Sequence, residues 1–233
     1  MEGLRRTPLF DAHVAAGARL VPFAGWEMPV QYEGVIPEHK AVRADAGVFD
    51  VSHMGEIEVE GPMARDLLQQ LLSNDITKLA IGDAQYTLLT NEDGGIIDDL
   101  IAYRTGEFRY LLVVNASNRD ADYAWIKERE ITGSDVRDVS DEYALLAVQG
   151  PNALAKIGLA PGRPFTWEVG EVAGIEVMVN RTGYTGEEGV ELVPLPGFGG
   201  GEPRLDSSLE RLEVPLIEPP RSENVGGFLP AAD

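Results

Sequence analysis

The sequence predicts an α+β fold, and three observations carry that reading. Tyr86–Thr90, Ile96–Tyr103 and Arg109–Asn115 are rich in β-formers and separated by turn residues. Segments with helix start and stop signals flank them. A strand followed by Gly-Pro and a helix occurs twice, at Gly61-Pro62 and at Gly150-Pro151, which points to two related α+β units.

From the amino terminus, Pro8 to Ala16 is the first predicted helix, with Thr7 as its cap, Pro8 in its first turn and Gly17 as its stop. Pro37 to Ala46, closed by Gly47, is the second. Between them, Phe23–Pro29 is aromatic and turn-rich without periodicity and reads as a packed loop. After Gly47 the pattern alternates through Ile57 and Val59, and a helix then carries Leu67, Leu68, Leu71 and Leu72. Asn91–Gly95 turns the first pair of central strands and Thr105–Glu107 the second. A helix is expected from Asn118 to about Arg129. Ala144–Val148 reads as a strand before a short helix ending near Gly158, and Val172–Val193 reads as short strands around Gly183 and Gly186. Seven Gly and Pro residues between Pro194 and Pro203 have linker composition. Residues 1–194 therefore form the expected globular part. Residues 195–233 are an expected poorly ordered tail, with one short amphipathic helix through Leu205, Leu209 and Leu212 as the only candidate element.

At 233 residues the chain fits one large domain or two modest ones, and 44% hydrophobic with 25% charged residues is ordinary soluble composition. No run approaches the roughly 18 apolar residues of a membrane helix, and Met1 to Gly17 lacks the apolar block of a secretory signal, so a cytoplasmic location is expected. The absence of cysteine removes disulfides, thiolate metal sites and thiol nucleophiles. A net charge of −20 opposes nucleic-acid binding, which needs surplus Lys and Arg. His13, His39 and His53 do not fall at metal-ligand spacings, so no metal site is expected. Gly197–Gly201 has a glutamate, Glu202, where a dinucleotide loop needs its last glycine.

Two features point to chemistry. Asp98 and Asp99 sit inside an apolar strand, where Asp is disfavoured. Alternation puts Asp99 on one face with Ile97, Ile101 and Tyr103, and Asp98 on the other with Leu100 and Ala102. A carboxylate desolvated there is poised for acid–base work or for meeting a cation; the competing reading is that both aspartates bond turn amides near Gly94 and Gly95. The second feature is Arg181–Glu191, a glycine turn carrying Tyr184 and several carboxylates. Its Tyr184 suits stacking on a flat ring and its Glu191 suits bonding ring nitrogens, although a plain hairpin with solvated charges explains the turn alone.

Arg6-Thr-Pro-Leu-Phe10, Phe23-Ala-Gly-Trp-Glu-Met-Pro29, Phe49-Asp-Val-Ser-His-Met-Gly-Glu56, Gly94-Gly-Ile-Ile-Asp-Asp-Leu100, Gln149-Gly-Pro151 and Arg181-Thr-Gly-Tyr-Thr-Gly-Glu187 together resemble the T proteins of the glycine cleavage system, in the family's order and over roughly residues 4 to 194. The resemblance implies interleaved mixed α/β domains around a central folate channel, with the family's carboxy-terminal barrel domain not found in Leu195–Asp233. It implies transfer of an aminomethyl group from the lipoyl arm of H protein, giving 5,10-methylenetetrahydrofolate and ammonia, without metal or pyridoxal phosphate. The family's key acid falls on Asp99, where it holds pterin nitrogens and stabilises positive charge as the carbon–sulfur bond breaks. Its folate contacts fall on Tyr86, Tyr103, Asn115, Tyr184 and Glu191. Asp98 is expected to support Asp99 from behind, and an arginine that meets the folate tail belongs to the part not found here. The implied partners are lipoylated H protein and tetrahydrofolate, with no nucleic acid or membrane, and a monomer is expected. Two alternatives stand beside this reading: a folate-binding remnant without turnover, and a related folate-dependent demethylase. The Phe49–Glu56 string favours glycine cleavage over the latter.

Overall fold

Short alternating segments of this chain pair into two sheets and a hairpin, and the side of each sheet that is apolar decides what covers it. The computed structural model describes residues 3–194 and 216–217. Helix α1 (Phe10–Ala15) precedes strands β1 (Arg19–Phe23) and β2 (Trp26–Gln31), which form a hairpin turned by Ala24 and Gly25. Both turn residues have positive φ, as a two-residue hairpin turn that matches strand twist requires. The packed loop expected at Phe23–Pro29 is thus a strand pair. Trp26–Val30 is buried on both faces, so the segment shows no alternation to read. Thr7 contributes its carbonyl, which accepts from the Phe10 N–H, and not a side-chain cap, so α1 starts two residues later than expected. Helix α2 (Val35–Ala44) likewise begins two residues before Pro37, with its proline still inside the first turn.

A five-stranded antiparallel sheet is built wholly from the stretch between Gly55 and Asp138. Its order is β5-β6-β7-β4-β8, from β4 (Gly55–Glu60), β5 (Ala84–Thr90), β6 (Ile96–Gly106), β7 (Arg109–Val114) and β8 (Asp135–Asp138). Helices α3 (Ala64–Leu71) and α4 (Arg119–Glu128) cover one face, where Leu67, Leu68 and Ile126 pack on Ile57, Val59, Leu100 and Leu112. The second sheet, in the order β10-β11-β12-β9-β3-β13, contains β3 (Gly47–Asp50), β9 (Leu146–Gln149), β10 (Trp167–Val172), β11 (Ile175–Asn180), β12 (Gly189–Pro194) and β13 (Leu216–Ile217). Its outer face packs on Leu9 and on helix α5 (Ala153–Lys156). The inner faces of the two sheets meet through Tyr103, Leu111, Val113, Leu145, Met178 and Val193. The five-stranded sheet is therefore inserted between β3 and β9, neighbours in the other sheet.

Strands β8 and β13 were also not expected from sequence. Strand β8 is four polar-rich residues on a sheet edge, where neither length nor alternation gives a signal. Strand β13 pairs in parallel with β3, Leu216 opposite Val48 and Ile217 opposite Phe49. The helix considered through Leu205, Leu209 and Leu212 lies outside the described residues. No helix among the described residues is long and apolar enough to cross a membrane.

A buried polar chain ties α1 and the hairpin to β3. The Tyr32 hydroxyl lies 2.9 Å from His13 Nδ1, His13 Nε2 lies 2.8 Å from Asp50 Oδ2, and the Ser52 N–H donates to Asp50 Oδ1 at 2.9 Å. Burial pushes the Asp50 carboxyl up, but the hydrogen bond and charge of His13, with help from Ser52, hold it below the ordinary carboxylate range. A depressed folded-state value gives stability that is present above the unfolded value and lost as pH falls through the folded one. Asp50→Asn is therefore expected to lower stability by about 2 kcal/mol at neutral pH. The gap between variant and parent should narrow as pH falls through the depressed Asp50 value, as thermal melts across an acid pH series would show.

Candidate functional site

The candidate site forms at one end of the seam between the two sheets, and β6 and β12 present its acids. Strand β6 carries a register shift between Leu89/Thr90 and its own Asp98 and Ile96, which displaces Ile97. Ile97 consequently packs toward the helix-covered core and not beside Asp99 as simple alternation predicts. The remaining alternation holds: Leu100 and Ala102 join the helix-covered core, while Ile101 and Tyr103 join the seam.

Asp99 is half-buried and lies under two polar neighbours. The Tyr86 hydroxyl, from β5, donates to its Oδ2 at 3.1 Å. The Asn115 amide, just past β7, donates to its backbone carbonyl at 3.0 Å and reaches its Oδ1 at 3.3 Å. Asp98 points the other way and is buried. It accepts from the Asn115 N–H and Nδ2, both at 3.0 Å, and from Asn118 Nδ2 at 2.6 Å. The aspartates do not bond the preceding turn: Asn91 Oδ1 takes the Gly95 and Asp93 amides instead.

Across the seam, Tyr103 is fully buried, and its hydroxyl meets Thr182 Oγ1 at 3.0 Å and donates to Glu191 Oε2 at 3.5 Å. The Thr182 hydroxyl also donates to Glu191. Burial pushes the Glu191 carboxyl up, opposed by those two hydroxyls, and burial followed by the Glu191 charge pushes the Tyr103 hydroxyl well up. Tyr184 remains half-exposed on the turn after Thr182. Burial of its hydroxyl, and then the charges of Asp99, Tyr86 and Glu191, push it up to about 12. Tyr86 is pushed up by burial and then by Asp99. All six residues singled out in the sequence, Tyr86, Asp99, Tyr103, Asn115, Tyr184 and Glu191, thus belong to one neighbourhood.

The structure adds residues that sequence reasoning missed. Thr182 links Tyr103 to Glu191 and lay unremarked inside the Arg181–Glu187 motif. Asn118 sits at the start of α4, where its amide is turned to Asp98 and makes no helix cap. Asn180, opposite Glu191 in the ladder, is fully buried with both amide atoms unpartnered. Only burial, which a single sequence does not display, distinguishes such residues from ordinary polar ones.

The shape and chemistry of this neighbourhood suit a flat, polar heterocycle: two accessible phenols flank it, and carboxylates on opposite sheets offer acceptors for ring N–H groups. The family model described as the GCVT N-terminal domain matches residues 9–198. Aminomethyltransferases of Desulforamulus reducens, Geobacillus kaustophilus and Bacillus subtilis are 50%, 51% and 47% identical over 198, 196 and 196 residues, covering 82%, 81% and 81% of this chain. Each alignment covers 54% of the relative, so the chain spans about half the length of the curated relatives it matches. The crystal structure of glycine cleavage system aminomethyltransferase T from Bartonella henselae is 38% identical with a TM-score of 0.80, over 90% of this chain and 57% of that one. The heterotetrameric sarcosine oxidase of Corynebacterium sp. U-96 matches with a TM-score of 0.53 at 15% identity, covering 89% of this chain and 90% of its own, which is a likeness of fold alone. By the family model and by these relatives, the chain belongs to the glycine cleavage T-protein family of aminomethyltransferases.

Proposed function

We propose that this chain takes part in tetrahydrofolate-dependent aminomethyl transfer from the lipoyl arm of H protein, yielding 5,10-methylenetetrahydrofolate and ammonia. The observation that carries the reading is the convergence of Asp99, Tyr86 and Asn115 from one sheet with Tyr103, Glu191 and Tyr184 from the other. The spare hydrogen-bonding capacity of Asn180 beside Glu191 fits a site that expects a polar ring. Tetrahydrofolate supplies the nitrogen that accepts the one-carbon unit. Around it, Glu191 accepts ring N–H groups and Tyr184 stacks on the ring face. Asp99, held by Tyr86 and Asn115, places a negative charge where positive charge grows on the transferred carbon as sulfur departs. Fixing acceptor and donor in one geometry lowers the barrier by orientation. In this reading the chain acts as a monomer in the cytoplasm with H protein and folate as partners.

A second reading is folate binding by this chain without turnover. Anaerobic calorimetric titration with tetrahydrofolate tests what the two readings share. The parent chain should bind, and Tyr184→Ala should weaken binding by about tenfold, the worth of one ring stacked on an aromatic face. A well-folded parent that takes up no heat with tetrahydrofolate would sink both readings.

A further inference from the structure

Behind Asp98 lies a fourth acid that the site chemistry described so far does not use. Asp122, in the first turn of α4, is 0% exposed, and neither of its carboxyl oxygens receives a hydrogen bond from any donor. Its side chain shares the buried face of α4 with Ile126 and meets the carboxyl of Asp98. Two neighbouring carboxyls in a buried setting disfavour each other's charge, so the arrangement favours a proton on one of them. Asp98 takes three N–H donors, whereas Asp122 takes none and sits where only a proton of its own would satisfy it. The proton therefore resides on Asp122, turning an orphaned acceptor into a donor toward Asp98.

We infer that Asp122 is a positioning residue for this site: a neutral, buried acid that donates to Asp98 and, through Asn115 and Asn118, fixes Asp99 against Tyr86. The inference rests on the reading of Asp99 as the acid of the site. The coupling runs through one amide, because Asn115 Nδ2 donates to Asp98 Oδ1 at 3.0 Å while also reaching the Asp99 carbonyl at 3.0 Å and the Asp99 carboxylate at 3.3 Å. If Asp98 lost its donor from behind, it would compete with Asp99 for that amide.

The surroundings agree. Burial first, then the hydrogen bond with Asp98 and the charges of Asp98 and Asp99, push the Asp122 carboxyl up to about 8. The charged groups facing it from β6 are these two aspartates. Arg119, on the same helix, is paired with Asp138 at 2.9 Å and Asp141 at 3.1 Å, Glu56 of β4 feels the Arg119 charge, and Asp135 of β8 faces Lys127 of α4 at 3.8 Å. A folded-state value raised above the ordinary one gives stability that is complete below the unfolded value and lost as pH rises through the folded one. The alignment of Asn115 should therefore loosen above about pH 8.

The test follows the side-chain amide resonances of Asn115 and Asn118 by NMR from pH 6 to 9.5 in the parent chain, Asp122→Asn and Asp122→Ala. The parent should show one shared transition near pH 8. Asp122→Asn, which keeps a donor toward Asp98 and cannot ionise, should hold the parent's low-pH positions throughout. Asp122→Ala should displace both amides at every pH; if it fails to fold, the comparison of parent with Asp122→Asn still decides. A transition that persists in Asp122→Asn, or none in the parent, overturns the inference. Tetrahydrofolate titrations at pH 7 add the functional readout, with Asp122→Asn within about twofold of the parent and Asp122→Ala about tenfold weaker, the worth of one charge-assisted hydrogen bond. A parent that binds no tetrahydrofolate refutes the Asp99 reading, while the amide titration still judges Asp122.

Discussion

Asp99→Asn should reduce folate-dependent ammonia release from aminomethyl-loaded H protein by about 10² to 10⁴-fold, the range for removing a positioned acid–base or charge-stabilising group. The substitution keeps the size of the side chain and its contact with Tyr86 while deleting its charge. Asp99 is also half-buried at the seam and not part of a packed core, so urea unfolding should move little. Loss of turnover with an unchanged unfolding midpoint places the effect on the chemical step. Asp98→Asn should behave oppositely in kind. Asp98 accepts three N–H donors in a buried setting, and an amide there turns one acceptor into a donor facing other donors. That variant should lose stability together with activity. If Asp99→Asn retained turnover within about threefold, the charge of Asp99 would have no part in the transition state.

Gly150→Ala should be the most destabilising of the conservative substitutions considered, by about 4 kcal/mol. Gly150 has φ of +134°, and an added Cβ would lie 2.4 Å from the Asp45 carbonyl oxygen and 2.7 Å from Ala46 Cα. Those are backbone atoms at the end of α2 and the start of β3, so relief requires parting β3 from β9. Backbone strain contributes about 1 to 3 kcal/mol and overpacking a similar amount. Gly61, at the other strand–Gly-Pro–helix junction, has φ of +104° and the same problem, with a Cβ 2.4 Å from the Gly133 carbonyl oxygen. Gly158 separates the two contributions, since its φ is +74° but nothing lies within 4 Å of the added atom. Gly158→Ala should cost only about 1 kcal/mol, the price of the left-handed backbone alone. In thermal melts the first two variants should fall by roughly 10 °C or more and the third by a few degrees.

How far the sequence reveals this fold depends on where each element is buried. Strands β5 to β7 are legible because each has one face against helices and another against the seam, with Asn91–Gly95 marking the turn. Helix α3 is legible because Leu67, Leu68 and Leu71 fall on its buried stripe. The β1–β2 hairpin is hidden because β2 is buried on both faces, and β8 because a four-residue polar edge strand has no pattern. In the site, the shared face of Asp99 and Tyr103 follows from alternation alone. Tyr184 and Glu191 are candidates from the glycine turn that carries them, whereas Tyr86 and Asn115 become candidates only through resemblance, because their meeting with Asp99 depends on which strands flank β6 and in what register. Thr182 and Asp122 escape both routes: an aspartate in a first helical turn reads as a solvated residue favoured by the helix dipole, and its burial is decided by which side of α4 meets β6.

The insertion of one sheet between two adjacent strands of the other also bears on the route to the folded state. Joining β3 to β9 directly, as Asp50 opposite Leu146 requires, closes a loop of about 95 residues. If the stretch from Gly55 to Asp138 folds first, β4 and β8 already lie side by side, with Ile57 opposite Asp138, and hold both ends of that loop together. Only about a dozen linking residues then remain to be ordered, and the entropic barrier to pairing β3 with β9 drops by about 2 kcal/mol. Mutations that slow folding should therefore cluster in the inserted sheet, while those in the outer one mainly speed unfolding. The same proximity of ends makes the inserted stretch the natural boundary for excising an autonomously folding fragment.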